Sequence, residues 1–79
     1  MAVYVEIRKE RESDKGFIYN YAASDGSVGR LEVSTSDGSS EPVELASGDP
    51  EGRLYALAAY KLLKHYRDGE FPDETCWAS

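Results

Sequence analysis

The residues in this sequence that could do acid–base, nucleophilic or metal chemistry are few and badly spaced for it. His65 is the only histidine. As a general base it needs an orienting partner and a nearby nucleophile, and neither stands at a telling distance along the chain. It reads as a structural or solvated side chain. Cys76 is the only cysteine. A nucleophilic thiol wants a helix N-terminus or a cationic neighbour; Cys76 has Asp73 and Glu74 instead. It reads as a small apolar residue that helps to dock the tail. Glu70, Asp73 and Glu74 cluster there too, but without the Gly-pivoted loop and extra oxygens of a calcium site. No Cys or His spacing resembles a zinc site, and the glycines form no phosphate-cradling loop. Paired carboxylates for glycoside chemistry stay open, although a domain with no expected cleft disfavours them. The expectation is no enzyme, no metal and no cofactor.

The totals fit that expectation. The chain has 79 residues, enough for one domain spanning 1–79 and too few for two. Its hydrophobic and charged fractions are those of a globular protein. A net charge of −6 opposes generic binding to nucleic acid or anionic membranes and suits a basic partner. One cysteine excludes an internal disulfide and favours a reducing compartment. The first residues reach charge too early for a signal peptide, and no apolar run approaches a membrane span. The expected location is cytoplasmic.

The elements follow from periodicity. Val3, Val5 and Ile7 alternate with polar neighbours, the signature of a half-buried strand. Lys9 to Lys15 reads as a charged connector. Phe17–Ala23 is a second strand with Phe17, Tyr19 and Tyr21 on one face and Ile18, Asn20 and Ala22 on the other. Either the aromatic face joins the core or it lies open. Asp25-Gly26 and Asp37-Gly38 supply turns on either side of a third strand, Val28–Thr35. Val43 and Leu45 mark a short fourth strand with Pro42 at its start, a residue suited to a sheet edge. Asp49-Pro50-Glu51 then starts a helix: Asp49 as cap, Pro50 in the first helical position. It runs to about Arg67 or Asp68 and stops at Gly69. Leu54, Tyr55, Ala58, Ala59, Leu62, Leu63 and Tyr66 make its apolar arc. The fold class is α+β: a four-stranded antiparallel meander with one C-terminal helix packed on one face, ββββα. The 69–79 tail is expected to dock at least in part.

Two features point to binding. The helix carries Arg53, Lys61, Lys64 and Arg67 and no acid; the tail carries Asp68, Glu70, Asp73 and Glu74 and no base. The tail is expected to fold back along the basic side of the helix. Leu57 and Tyr60 fall on that basic side, away from the apolar arc. With Arg53, Lys61 and Lys64 they have the composition of a small protein interface, unless Phe71 or Trp77 covers them. The leading expectation is a small acidic module, of inhibitor, immunity or adaptor type, docking on another protein, with an acidic sheet around Glu6 and Glu32 meeting a basic partner. The helix patch would supply apolar anchoring or a homodimer contact. The alternatives are a nucleic-acid-binding module using Arg53, Lys61, Lys64 and Arg67 with tyrosine stacking, and a small oligomeric enzyme with an intersubunit site around His65.

Overall fold

The computed structural model describes residues 3–78; Met1, Ala2 and Ser79, the last of them the end of the tail, lie outside the described residues. The chain runs β1 (Tyr4–Glu12), β2 (Gly16–Ala22), β3 (Val28–Ser34), β4 (Ser40–Glu44), α1 (Arg53–Arg67) and β5 (Glu74–Ala78). The strands form one sheet in the order β4-β3-β2-β1-β5, with every neighbour antiparallel. The fold is α+β with an antiparallel sheet and one helix. The sheet has five strands where four were expected, and α1 is followed by β5 rather than ending the fold.

The fifth strand exists because the tail can satisfy both faces of the edge of β1. Thr75 and Trp77 stand opposite Ile7 and Val5 on the helix-covered side; Glu74 and Cys76 stand opposite Arg8 and Glu6 on the other. Arg8 Nε and Glu74 Oε1 are 3.4 Å apart across the pair.

β1 also runs on through the expected connector, to Glu12. The register shifts between Lys9 and Arg11, so Glu10 is the extra residue of a bulge. Lys9 takes a place on the helix side without burying its charge. Its Nζ donates to Phe71 O at 2.7 Å and lies 4.2 Å from the centre of the Phe17 ring, while its stem lines the core.

The core is Val5, Ile7, Tyr19, Tyr21, Leu31 and Val33 of the sheet against Ala58 and Leu62 of α1. The aromatic face of β2 is therefore the covered face; both tyrosines are fully buried. Each has found a partner for its hydroxyl. Tyr19 Oη donates to Pro72 O at 2.7 Å, which fixes the chain just before β5. Burial, with the nearby Asp73 charge, pushes the Tyr19 phenol up to about 12. The folded state thus holds this proton more tightly than the unfolded state does. Its stabilising contribution is complete below the ordinary phenol value of about 10 and is lost as pH rises from there through about 12. Alkaline titration of unfolding is expected to show falling stability in that window for the native chain. In Tyr19→Phe the slope should be visibly shallower; an identical slope would contradict the assignment.

The helix begins later than the sequence suggests. Pro50 and Glu51 lie in a turn, Gly52 takes a left-handed φ of 73°, and α1 starts at Arg53. Asp49 nevertheless serves the helix start. Its two carboxylate oxygens accept from Leu54 N at 3.0 Å and Tyr55 N at 2.9 Å, two of the amides a first turn leaves unpaired. Tyr21 Oη donates to the same carboxylate at 3.0 Å and accepts from Ala46 N at 3.0 Å. Gly69, with φ 78°, follows the last helical turn.

Candidate protein-docking site

One flank of α1 lies along β5. Tyr60 and Trp77 meet edge to face, ring centres 5.5 Å apart. Five residues on, His65 Nε2 is 2.9 Å from Thr75 Oγ1, and its Nδ1 is 3.2 Å from Glu70 Oε1. His65 thus ties the end of the helix to β5. The one hydroxyl it touches among the described residues is that of Thr75, and the one carboxylate is that of Glu70. Residues three and four apart share a helix face, so Leu57, Lys61 and Lys64 belong to the flank that Tyr60 and His65 define. Arg53 continues it toward the N-terminus.

The structure therefore brings the five candidate residues onto one side of the molecule, but they are not alike. Tyr60 is 47% exposed. Leu57 is only partly exposed and packs against the core, contrary to its expected place away from the apolar arc. A helix lying on a five-stranded sheet, with Trp77 at its side, buries a wider arc than one lying on four strands. Arg53 pairs with Glu51 at 3.2 Å. Lys61 and Lys64 have no acid within ion-pair distance among the described residues; Lys64 Nζ sits 5.8 Å from the centre of the Tyr60 ring.

The acidic tail does not neutralise these cations, as it was expected to. Asp73 pairs with Lys9 at 3.4 Å, Glu74 with Arg8 at 3.4 Å, and Glu70 meets His65. The reason is the strand itself. β5 turns Thr75 and Trp77 toward the helix and Glu74 away from it, so its acid cannot reach the flank.

Beyond that flank lies the outer edge of β5, which sequence reading missed along with the strand. Lys9 N donates to Asp73 O at 2.8 Å. Antiparallel pairs alternate between bonded and non-bonded, so Ile7/Thr75 and Val5/Trp77 close the ladder. The backbone groups of Glu74, Cys76 and Ala78 consequently point out of the sheet. No further strand pairs with them among the described residues.

The opposite edge is differently made. Ser34 N donates to Ser39 O at 2.9 Å, and the same alternation turns the backbone of Ser40 and Pro42 outward on β4. Pro42 has no N–H to offer, and a bulge falls between Pro42 and Glu44. A proline, a bulge and acidic side chains are the usual ways a sheet edge is closed to other chains. β5 has neither proline nor bulge.

The face of the sheet away from α1 is uncovered. Arg8 reaches Glu6 and Glu74, Arg11 reaches Glu10, and Arg30 reaches Glu10 at 3.0 Å and Glu44 at 3.5 Å. The Arg30 guanidinium holds the Glu10 carboxyl below its ordinary range. Glu32 and Glu41 add to the acidic excess. A shallow hollow of about 320 Å³ lies there, lined by Glu6, Arg8, Asn20, Ala22 and Val28 among others. Among the described residues, its lining includes no histidine, serine, threonine or cysteine. Cys76 opens onto the same face opposite Glu6.

Among the described residues, no group of three or more His, Cys, Asp or Glu side chains could hold a metal ion, and no helix is long and apolar enough to cross a membrane. Tyr19 and Tyr21 are buried and cannot stack bases. Comparison with protein-family models, curated proteins and solved structures finds no match to this chain.

Proposed function

We propose that this chain is a non-enzymatic protein-binding module, an adaptor, inhibitor or immunity-type component of the cytoplasm, that docks another protein along the β5 flank of α1. One observation carries the reading: Tyr60, half exposed, stands beside Lys61 and Lys64, which among the described residues have no acid partner, next to a sheet edge that no described strand pairs with. A tyrosine is a usual hot-spot anchor, and lysines around it fit the charged rim that orients a partner. His65, held between the Thr75 hydroxyl and the Glu70 carboxylate, is read as a tie between the helix end and β5.

The test is capture from the source cell's lysate with the native chain and with the double variant Tyr60→Ala, Lys64→Glu. The native chain should retain a stoichiometric protein, and the variant should lose it by at least about tenfold, the scale of an aromatic hot spot. Equal retention by both would remove the flank from the account.

The uncovered sheet face supports a second reading, docking of a basic partner against Glu6, Glu32 and Glu44. Its acidic excess favours that reading. Glu32→Lys with Glu44→Lys, rather than the helix variants, would then abolish capture.

A further inference from the structure

We infer that the occupant of the β5 flank is an extended segment of a partner protein, carrying carboxylates on its helix-facing side and added to the sheet as a sixth strand beside β5. The inference rests on the docking reading above and specifies its mode.

Backbone geometry supplies the first part. Glu74, Cys76 and Ala78 present N–H and C=O groups outward at the spacing an incoming strand needs. A strand laid there would sit about 4.8 Å from β5. The molecule has two sheet edges of five residues each; β4 is closed by Pro42 and the bulge beside it, whereas β5 has neither and carries Glu74 alone as a charged side chain.

Side chains supply the second part, because an added strand would point alternate residues to opposite faces. Those on the helix side would meet Trp77, Tyr60, Lys61 and Lys64. The groups with unspent charge there are cationic, and the groups with unspent surface are aromatic. An apolar residue flanked at two-residue spacing by carboxylates would match both. Residues on the other side would meet Glu74, with Glu6 one strand further, and are best neutral or basic. The segment read by this edge thus alternates in charge as well as in direction.

A second copy of this chain fits the edge less well. Two β5 strands paired about a two-fold axis would place both α1 helices on the same face of a continuous sheet. The Lys61 and Lys64 flanks would then approach each other, like charge to like charge. The net charge of −6 on each copy adds to the repulsion.

The experiment uses two blocked synthetic peptides of identical composition, Ser-Glu-Lys-Val-Lys-Glu-Ser and Ser-Lys-Glu-Val-Glu-Lys-Ser. Both are palindromic, so either strand direction is served. They differ only in whether the carboxylates or the lysines share a face with the valine. The first should bind the native chain about tenfold more tightly than the second, the effect of two favourable charge pairs on one side and two repulsions avoided on the other. Lys64→Glu should reduce or invert the preference. Amide hydrogen exchange on the complex should show new protection at Glu74, Cys76 and Ala78, with Thr75 and Trp77 little changed because they are already bonded to β1.

Equal binding of both peptides, binding of neither, or binding without protection at the three outward amides would overturn the inference. If the peptides fail but Tyr60→Ala, Lys64→Glu still abolishes protein capture, the docking reading stands and a folded partner takes the place of the strand. If both fail, both fall. A concentration-dependent dimer protecting the same three amides would assign the edge to a second copy and equally overturn the inference.

Discussion

Asp49→Ala is expected to cost this domain about 2–4 kcal/mol, an order-of-magnitude figure for removing a buried carboxylate that accepts several hydrogen bonds. Asp49 is 4% exposed and is the only buried charged or polar residue of the described chain outside the glycines. Its loss would leave the Tyr21 hydroxyl and the Leu54 and Tyr55 amides without acceptors at one stroke. For a domain of this size each kcal/mol lowers Tm by roughly 4–8 °C, so the variant should melt at least about 8 °C below the native chain. Asp49→Asn keeps an acceptor oxygen and should recover part of the loss. Tyr21→Phe should be coupled to Asp49→Ala, the double variant costing less than the two singles together. Thermal and urea unfolding of the four proteins checks this; strict additivity would show that the carboxylate and the phenol do not form one network.

Gly29→Ala is expected to be of similar size, about 2–4 kcal/mol, for a steric reason. Gly29 is the cross-strand partner of Tyr21, and the Tyr21 ring lies over its bare Cα. A methyl group there would enter the ring and come within 2.7 Å of Ala46 N. The ring would have to swing away, pulling its hydroxyl from both Asp49 and Ala46. The cost therefore combines overpacking with two broken hydrogen bonds. Gly26→Ala makes a useful contrast. Nothing lies near its missing Cβ, so its cost is confined to the positive φ of 89° in an exposed turn. If Gly29→Ala melts no lower than Gly26→Ala, the ring is free to move and the account of this corner is wrong.

These two sites also show what a sequence of this kind discloses. The strands β1 to β3 were legible because apolar and polar residues alternate under Asp-Gly turns, and α1 was legible because its apolar positions repeat every three to four residues. The first turn of the helix was misplaced by three residues: Asp49 reaches its amides across a turn, which local capping patterns do not anticipate. The length of β1 was hidden by its own charges. Lys9 can occupy a covered position because Phe71 O, the Phe17 ring and the Asp73 carboxylate receive its ammonium, and all three come from elsewhere in the fold.

β5 was the largest omission, and it is the element on which the docking account turns. Five residues, Glu74 to Ala78, give too short an alternation to distinguish from a loop, and acids precede them. The signal that could have found it is pairwise: Thr75 and Trp77 match Ile7 and Val5, while Glu74 matches Arg8. The candidate docking residues, Leu57, Tyr60, Arg53, Lys61 and Lys64, stand out in the sequence as a composition. Their setting does not, because charge counting sends the acidic tail to the basic helix. The strand geometry sends Asp73 and Glu74 to β1 instead, and among the described residues Lys61 and Lys64 have no acid within ion-pair distance.

The central claim is that partners meet this molecule along the β5 flank of α1 rather than on its bare sheet face. The most direct measurement is the amide spectrum of isotopically labelled protein titrated with the partner that capture retains. The account predicts perturbations concentrated at Leu57, Tyr60, Lys61 and Lys64 and along Glu74 to Ala78, with Glu32, Glu41 and Glu44 undisturbed. Perturbations centred on Glu6, Glu32 and Glu44, with the helix flank silent, would contradict it and place the interface on the acidic face.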